Sequence, residues 1–425
     1  MTKRLLTLLS CLVIIPLTIA SVSCAGGAPT AEPIVLGATP SMGYAVGADG
    51  VKFAQLAIEE INSKGGITVE GKKRPLKLEV IDTAAMKPQT SAADALVAME
   101  KLILEKKPVA IAISPERSEV ALAAMDLISK YKLPMIIPSA KSPAITQKVA
   151  DNYATYKYVF RLTVDSLILA AAEYDPIIQM GSANGWNKVF YVQEDAAWAK
   201  GTQAAVDAAL KAKGWVNVGS ETAPLGTTDY SMVIQKIKAS GAQVVCINFS
   251  NPEGGAFIEQ AYNNQVPALL VGMSSPTVAP EAWKIYNGKV EYACLAVAEV
   301  GNVPVPTVPK SVAAYDAFVK KYGTGPGTDS VPSACYDSIY VLANAIEKAG
   351  KLDGDSIVTA LEATDMDGVM GHIKFDKKHQ VVYGSDPKTS VITVMIQWQK
   401  PGERAIVAPA AAASGKIQLP PWIKK

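Results

Sequence analysis

From residue 33 onward the chain alternates short, β-branched apolar runs with stretches whose apolar residues recur every three or four positions, and it does so in two series. That alternation is the pattern of βαβ units, which lay parallel strands in one sheet and pack helices on its faces. The first series opens with a strand at Ile34–Ala38, a Gly-containing turn, and a helix over 50–63 with Phe53, Leu56, Ala57 and Ile61 on one face, stopped by Gly65 and Gly66. A strand over 76–82 follows, then a helix bearing Ala92, Ala95, Leu96, Met99, Leu102 and Ile103 at helical spacing, and a strand over 109–114. The next helix begins near Ser118, turns Val120, Ala123, Ala124, Leu127 and Ile128 inward, and leads to a strand over 135–138. The second series reads as a strand over 188–193, helices over 201–213 and 230–240, a strand over 242–249 and a helix over Glu253–Asn263.

The pattern predicts an α/β fold of two doubly wound lobes, and the length agrees, because about 400 residues exceed what one core usually supports. In sheets of this kind ligands bind beyond the carboxyl ends of the strands. Two facing lobes therefore bring those ends to opposite walls of one cleft.

The N-terminus reads as an export leader over 1–23: Lys3 and Arg4, an apolar run over 5–20 broken by Pro16, then Ser21, Val22 and Ser23 before Cys24. The run is shorter than the ~20 apolar residues of a comfortable spanning helix, and no later segment is long and apolar enough to cross a bilayer. Removing the leader takes away two basic groups and no acidic ones, so 41 basic against 39 acidic residues become balanced. Those charges are interspersed, which excludes the clustered positive excess of a nucleic-acid binder.

Chemistry-bearing residues are sparse. Cys246, Cys294 and Cys335 lack any C-x-x-C spacing and make no metal site. Cys246, inside the apolar run 242–249, reads as a small buried hydrophobe, and one disulfide among the three stays open in an oxidising compartment. His372 and His379 are the only histidines, with no nucleophile motif, H-E-x-x-H or P-loop, and the glycines at 323, 325 and 327 read as a surface loop. No cofactor is implied, and an enzyme would need a poised acid, base or nucleophile that the sequence does not show.

Several segments, in their order and spacing, resemble a known family. They are Ile34-Val35-Leu36-Gly37-Ala38, Glu59-Glu60-Ile61-Asn62 before Gly65-Gly66, and Ile136-Ile137-Pro138-Ser139-Ala140-Lys141-Ser142-Pro143. Further on come Tyr158-Val159-Phe160-Arg161, Thr228-Asp229-Tyr230-Ser231, Ala334-Cys335-Tyr336-Asp337 and Gly371-His372-Ile373-Lys374-Phe375-Asp376. Together they resemble the type I periplasmic leucine/isoleucine/valine-binding proteins of ABC importers over nearly the whole chain after the leader. The resemblance implies two Rossmann-like lobes joined by a three-crossover hinge, here 34–160 plus 292–375 and 161–291 plus 376–425, preceded by a linker over 24–33. It also implies an extracytoplasmic location, a small-molecule ligand and an ABC permease as partner. Cys24 resembles the lipid-modified cysteine of bacterial lipoproteins, although Ser21 stands where a leucine is usual, and cleavage without lipidation stays open; two acyl chains would hold the domain stably at a membrane face.

The resemblance also points to site residues. Ser118, at a helix start where free N–H groups favour an anion, matches the serine that bonds the ligand carboxylate; a plain capping role is the alternative. Ser139 and Lys141 match the other half of the first-lobe site, with Lys141 in place of the usual threonine, either pairing with a ligand carboxylate or remaining a solvated turn lysine. Trp198 resembles the aromatic residue that closes over the ligand, its alternative being a core role, and Ser250 stands where a tyrosine is frequent. Ser274 occupies the position of the acid that pairs with an amino acid's ammonium. Losing that acid while gaining Lys141 points to an aliphatic or aromatic carboxylic acid, unless Asp165 or Glu194 replaces it. A true leucine-, isoleucine- or valine-like ligand is the alternative, and a ligand sensor on the same fold a third, which would normally lack an export signal or be joined to a signalling module, and none is appended here.

Overall fold

The computed structural model describes residues 32–423 apart from 88 and 329. The leader 1–23, Cys24 and nearly all of the 24–33 linker lie outside the described residues. Two sheets organise the chain. In the first, five parallel strands run in the order Leu76–Val80, Ile34–Ala38, Ala110–Ile113, Met135–Ile137, Val159–Arg161. In the second, Val216–Ala223, Lys188–Glu194, Val244–Phe249, Leu269–Ser274 and Cys294–Val297 are parallel, and the antiparallel pair Val394–Lys400 and Glu403–Ala408 extends the edge. In both sheets the second strand lies outside the first and the third lies on its other side. The strand order therefore reverses between the first and third strands, and a crevice opens there beyond their carboxyl ends.

The sequence reading gave residues 292–375 to the first lobe, which the structure corrects. Cys294–Val297 is hydrogen-bonded into the second sheet between Leu269–Ser274 and Val394–Lys400. The chain returns to the first lobe only after Val297. The later boundary moves too: Gln380 bridges to Arg161, and Val391 pairs with Gly371, so the run from 376 stays beside the first lobe until Val394 joins the second sheet. On the first lobe, helices Ala45–Ser63 and Pro332–Ala349 pack together. Phe53 is wholly buried between the rings of Phe318, stacked at 4.3 Å, and Tyr336, met edge-on at 6.3 Å. Cys246, Cys294 and Cys335 are free, buried thiols.

Of the second-lobe elements that the periodicity reading left out, two have a plain physical reason. Val216–Ala223 carries polar residues and Gly219 in place of an apolar alternation, because it is an edge strand. A Cβ on Gly219 would stand 2.3 Å from the Phe190 ring, so close strand packing dictates the glycine. Helix Ser166–Asn184 has apolar residues nearly all round and Pro176 inside it, which hides its periodicity.

The first two passages between the lobes meet the segment at Gln380, which leads to the third, in one buried polar joint. Arg161, wholly buried, donates through Nε to Gln380 Oε1 (2.5 Å), through Nη1 to the Ser142 carbonyl (2.6 Å), and through Nη2 to Thr146 Oγ1 (3.2 Å) and Asp165 Oδ2 (3.3 Å). Gln380 Nε2 donates to the Thr163 carbonyl (2.9 Å), and the Thr163 hydroxyl donates to Glu299 Oε1 (2.5 Å). Glu299 Oε2 in turn accepts the N–H of Val331 (3.0 Å), a β-branched residue held at φ 85° as the cap of Pro332–Ala349.

Beneath helix Ser166–Asn184, Glu173 is wholly buried against the second sheet, where its carboxyl meets Cys246 Sγ (3.4 Å) and Asn248 Nδ2 (3.3 Å). Burial pushes this acid from an ordinary 4.5 up to about 8. Between those values the folded chain keeps a proton that the unfolded chain releases, so stability from this group is lost as pH rises across the window. Glu173→Gln should therefore match the wild type near pH 4.5 and exceed its stability by about 2 kcal/mol or more at pH 8, at ~1.4 kcal/mol per pKa unit. Urea unfolding at the two pH values checks this; a difference independent of pH would contradict it.

Candidate ligand-binding cleft

Both crevices open onto one cavity of about 220 Å³ between the lobes. The first-lobe wall comes from the turns after Ala110–Ile113 and Met135–Ile137, and the second-lobe wall from the turns after Lys188–Glu194, Val244–Phe249 and Leu269–Ser274. Each strand ends where its backbone groups leave the ladder, and the residues beyond project into the gap. Of the residues singled out from sequence, Ser118, Ser139, Lys141, Trp198 and Ser250 line this cavity.

Ser274 does not. Its hydroxyl is fully buried without a partner, 2.6 Å from where a Cβ on Gly254 would stand, so it points into the second lobe toward helix Glu253–Asn263. Alternation along the strand turns Met273 and Ser275 to the cavity instead. The sequence assignment was one residue out of register. Ser275 carries a buried hydroxyl that also lacks a partner.

Ser118 is the first residue of helix Ser118–Tyr131, while Arg117 holds the cap position without a side-chain capping bond. The Ser118 hydroxyl accepts the N–H of Ser142 (3.2 Å), tying the helix start to the neighbouring turn. In that turn the Ser139 hydroxyl is buried and has no partner among the described residues. Lys141 is only 6% exposed, and among the described residues no carboxylate lies within ion-pair distance of its ammonium. A cation sequestered in a cleft wall without a counter-charge is costly.

Neither acid considered as a replacement at the amine position is free. Asp165 caps Ser166–Asn184 through the N–H groups of Leu167 (2.9 Å) and Ile168 (2.8 Å) and pairs with Arg161. Glu194 does line the cavity, but its oxygens already accept from Trp198 Nε1 (2.9 Å), the Ser250 hydroxyl (2.6 Å), the Ser250 N–H (2.8 Å) and Asn251 Nδ2 (3.4 Å). Burial raises the pKa of Glu194, and the bonds from Ser250 and Trp198 oppose that rise. It serves as the anchor that sets the indole of Trp198 and the Ser250 turn on the second wall.

The acid that sequence reasoning missed is Glu116, on the first wall. It is buried, and its oxygens accept the Ser41 N–H and the Ser41 hydroxyl, both at 2.8 Å. Burial pushes its carboxyl from 4.5 up to about 7, with the Ser41 bonds opposing and nearby Asp82 adding to the rise. Its place two residues before Ser118, in the same βα turn, was the signal available in the sequence. Among the described residues no group of three or more His, Cys, Asp or Glu side chains could hold a metal ion, and no helix is long and apolar enough to cross a membrane.

Comparison with known proteins agrees with this geometry. The family profile described as periplasmic binding protein matches residues 36–385, most of the chain and both walls of the cleft. The chain belongs to the periplasmic binding protein family. Within it, the chain is of type I and of the branched-chain amino acid branch. A Leu/Ile/Val-binding protein, BraC3 of Rhizobium johnstonii, is 27% identical over 313 residues, 73% of this chain and 77% of that one. The fold is shared with a putative branched-chain amino acid ABC transporter protein from Silicibacter pomeroyi (TM-score 0.77, 17% identity, 92% of this chain and 100% of that one). It is shared also with an R. palustris solute-binding protein solved with benzoate (TM-score 0.72, 16% identity, 92% and 99%). This family comprises substrate-binding proteins of ABC transporters, not enzymes, and works outside the cytoplasm.

The anchoring role of Glu194 gives an expected outcome in this periplasmic binding protein. Glu194→Ala strands the donors of Trp198 and Ser250 and should lower unfolding free energy by about 1–3 kcal/mol. It should also change the emission of Trp198, measured as the difference from a Trp198→Phe variant. Unchanged stability and emission would show that these bonds do not hold the second wall.

Proposed function

We propose that the protein captures a small solute bearing a carboxylate, with aliphatic or aromatic acids favoured, and presents it to an ABC permease. The observation that carries this reading is the Lys141 ammonium, buried in the cleft wall without an anionic partner among the described residues, beside the unpartnered Ser139 hydroxyl. The start of helix Ser118–Tyr131 adds partial positive charge on the same wall. Trp198 covers the apolar part of the solute, and Ser250 and Ser275 complete the second wall. Contacts from both lobes favour a closed form, as in a hinge-bending binding protein. The R. palustris protein solved with benzoate illustrates that this fold accommodates an aromatic carboxylate.

One observation favours an amino acid instead. Glu116 supplies a carboxyl on the first wall that could meet an ammonium, and the R. johnstonii relative is named for leucine, isoleucine and valine. The sign of the pH dependence separates the two. Glu116 titrates near 7, with Asp82, Arg117, Glu119 and Lys141 as the charged groups around it. For an acid ligand, affinity falls as pH rises from 6 to 8, because an ionised Glu116 repels it; for an amino acid, affinity rises over the same range. Thermal unfolding against benzoate, isovalerate, leucine, isoleucine and valine at both pH values reads this directly, since a ligand of the native state raises the midpoint. Lys141→Met should weaken binding of the active compound about 10-fold or more, the loss of one charge-assisted bond. Shifts with the branched-chain amino acids alone would overturn the acid reading.

The leader and Cys24 support a diacylated anchor holding this soluble domain at the membrane face. In cells supplied with a labelled fatty acid, the chain should take up label and Cys24→Ser should abolish it; release of unlabelled wild-type protein would show cleavage without lipidation.

A further inference from the structure

Ser166 lies outside the cavity, yet it touches the backbone of a ligand-wall residue from each lobe. It is the first residue of helix Ser166–Asn184, where the first passage enters the second lobe, and it is 1% exposed. Its N–H donates to the Lys141 carbonyl (2.9 Å), and its hydroxyl lies 3.1 Å from that same carbonyl and 3.2 Å from the carbonyl of Trp198. Lys141 belongs to the first wall and Trp198 to the second. A serine hydroxyl has one proton, so these two acceptors share a single three-centre bond.

We propose that Ser166 is a positioning residue that sets the separation of the two ligand walls, through one hydroxyl shared between the Lys141 and Trp198 carbonyls. The sharing exists only while the two carbonyls stand at their present separation. If the lobes rotate about the first passage, the hydroxyl must give up one acceptor, and the arrangement that keeps both is favoured. The neighbouring bonds keep Ser166 from following either wall freely. Asp165 caps its helix through Leu167 and Ile168, and Arg161 grips the Ser142 carbonyl one residue beyond Lys141. Gly201 gives the hydroxyl its room: a Cβ there would stand 3.3 Å from Ser166 Oγ.

Two variants test this in ligand-free protein, so the outcome does not depend on which solute is bound. Ser166→Ala removes the hydroxyl, and Gly201→Ala keeps it but presses on it from the second lobe. Both are expected to broaden the pair-distance distribution from small-angle X-ray scattering and to speed hydrogen exchange of the residue-166 amide about 2- to 10-fold, the worth of one hydrogen bond. The Leu167 and Ile168 amides, bonded to Asp165, should exchange at wild-type rates. Wild-type scattering in both variants would overturn the proposal. So would equal acceleration at 166, 167 and 168, which marks an ordinary helix-start role.

Discussion

The arrangement of the molecule depends on one buried guanidinium. Arg161 ends the last strand of the first sheet and reaches three separate stretches of chain: the turn at Ser142 to Thr146, the helix cap Asp165 and the returning segment at Gln380. Burial lowers its pKa to about 10, which still leaves it charged at neutral pH, so it must be surrounded by acceptors. Those acceptors are supplied by a first-lobe turn and helix, a helix cap and the segment at Gln380, and Thr163 and Glu299 extend the network to the middle crossover. A buried, hydrogen-bonded charge of this kind is weak evidence for stability but strong evidence for a defined geometry, because few alternative packings satisfy every donor.

That joint determines what the cleft can be. It holds the Ser139 to Ser142 turn through the Ser142 carbonyl, where Lys141 lines the cavity while its own carbonyl faces Ser166. On the opposite wall Glu194 performs the corresponding task, gathering Trp198, Ser250 and Asn251 around one carboxylate. Each wall thus has a buried ionic group that organises backbone and side chains by hydrogen bonds. Lys141 differs, since no carboxylate among the described residues pairs with its ammonium.

Much of the fold was legible because its physical basis is local. Strands buried on both faces, such as Ala110–Ile113 and Val244–Phe249, read as continuous apolar runs, and the helices with a single apolar face read by their period. Val216–Ala223 was not legible, since an edge strand need not be apolar, and Cys294–Val297 was assigned to the wrong lobe, since four apolar residues carry no information about which sheet receives them. The cleft followed the same division. Five residues placed by family resemblance line the cavity, whereas Ser274 misses it because one step along a strand reverses the direction of a side chain.

The sequence by itself determined the class of fold, the repeated βα units and the end of the sheets at which a ligand is held, because these depend on apolar periodicity and on where helices and strands stop. Tertiary structure alone decided which charges are available there. Glu194, Asp165 and Glu116 are acids of the same kind on paper, but hydrogen bonds tie Glu194 to Trp198 and Ser250, Asp165 to Arg161 and Glu116 to Ser41, and burial raises Glu116 to about 7. Whether an ionisable side chain is a structural tie or a recognition group depends on burial and on the donors that other segments bring to it. Some donors stand four positions away, as Trp198 does from Glu194 and Arg161 from Asp165, while Ser250 reaches Glu194 and Ser41 reaches Glu116 from 56 and 75 positions away, and only the folded chain sets them all side by side.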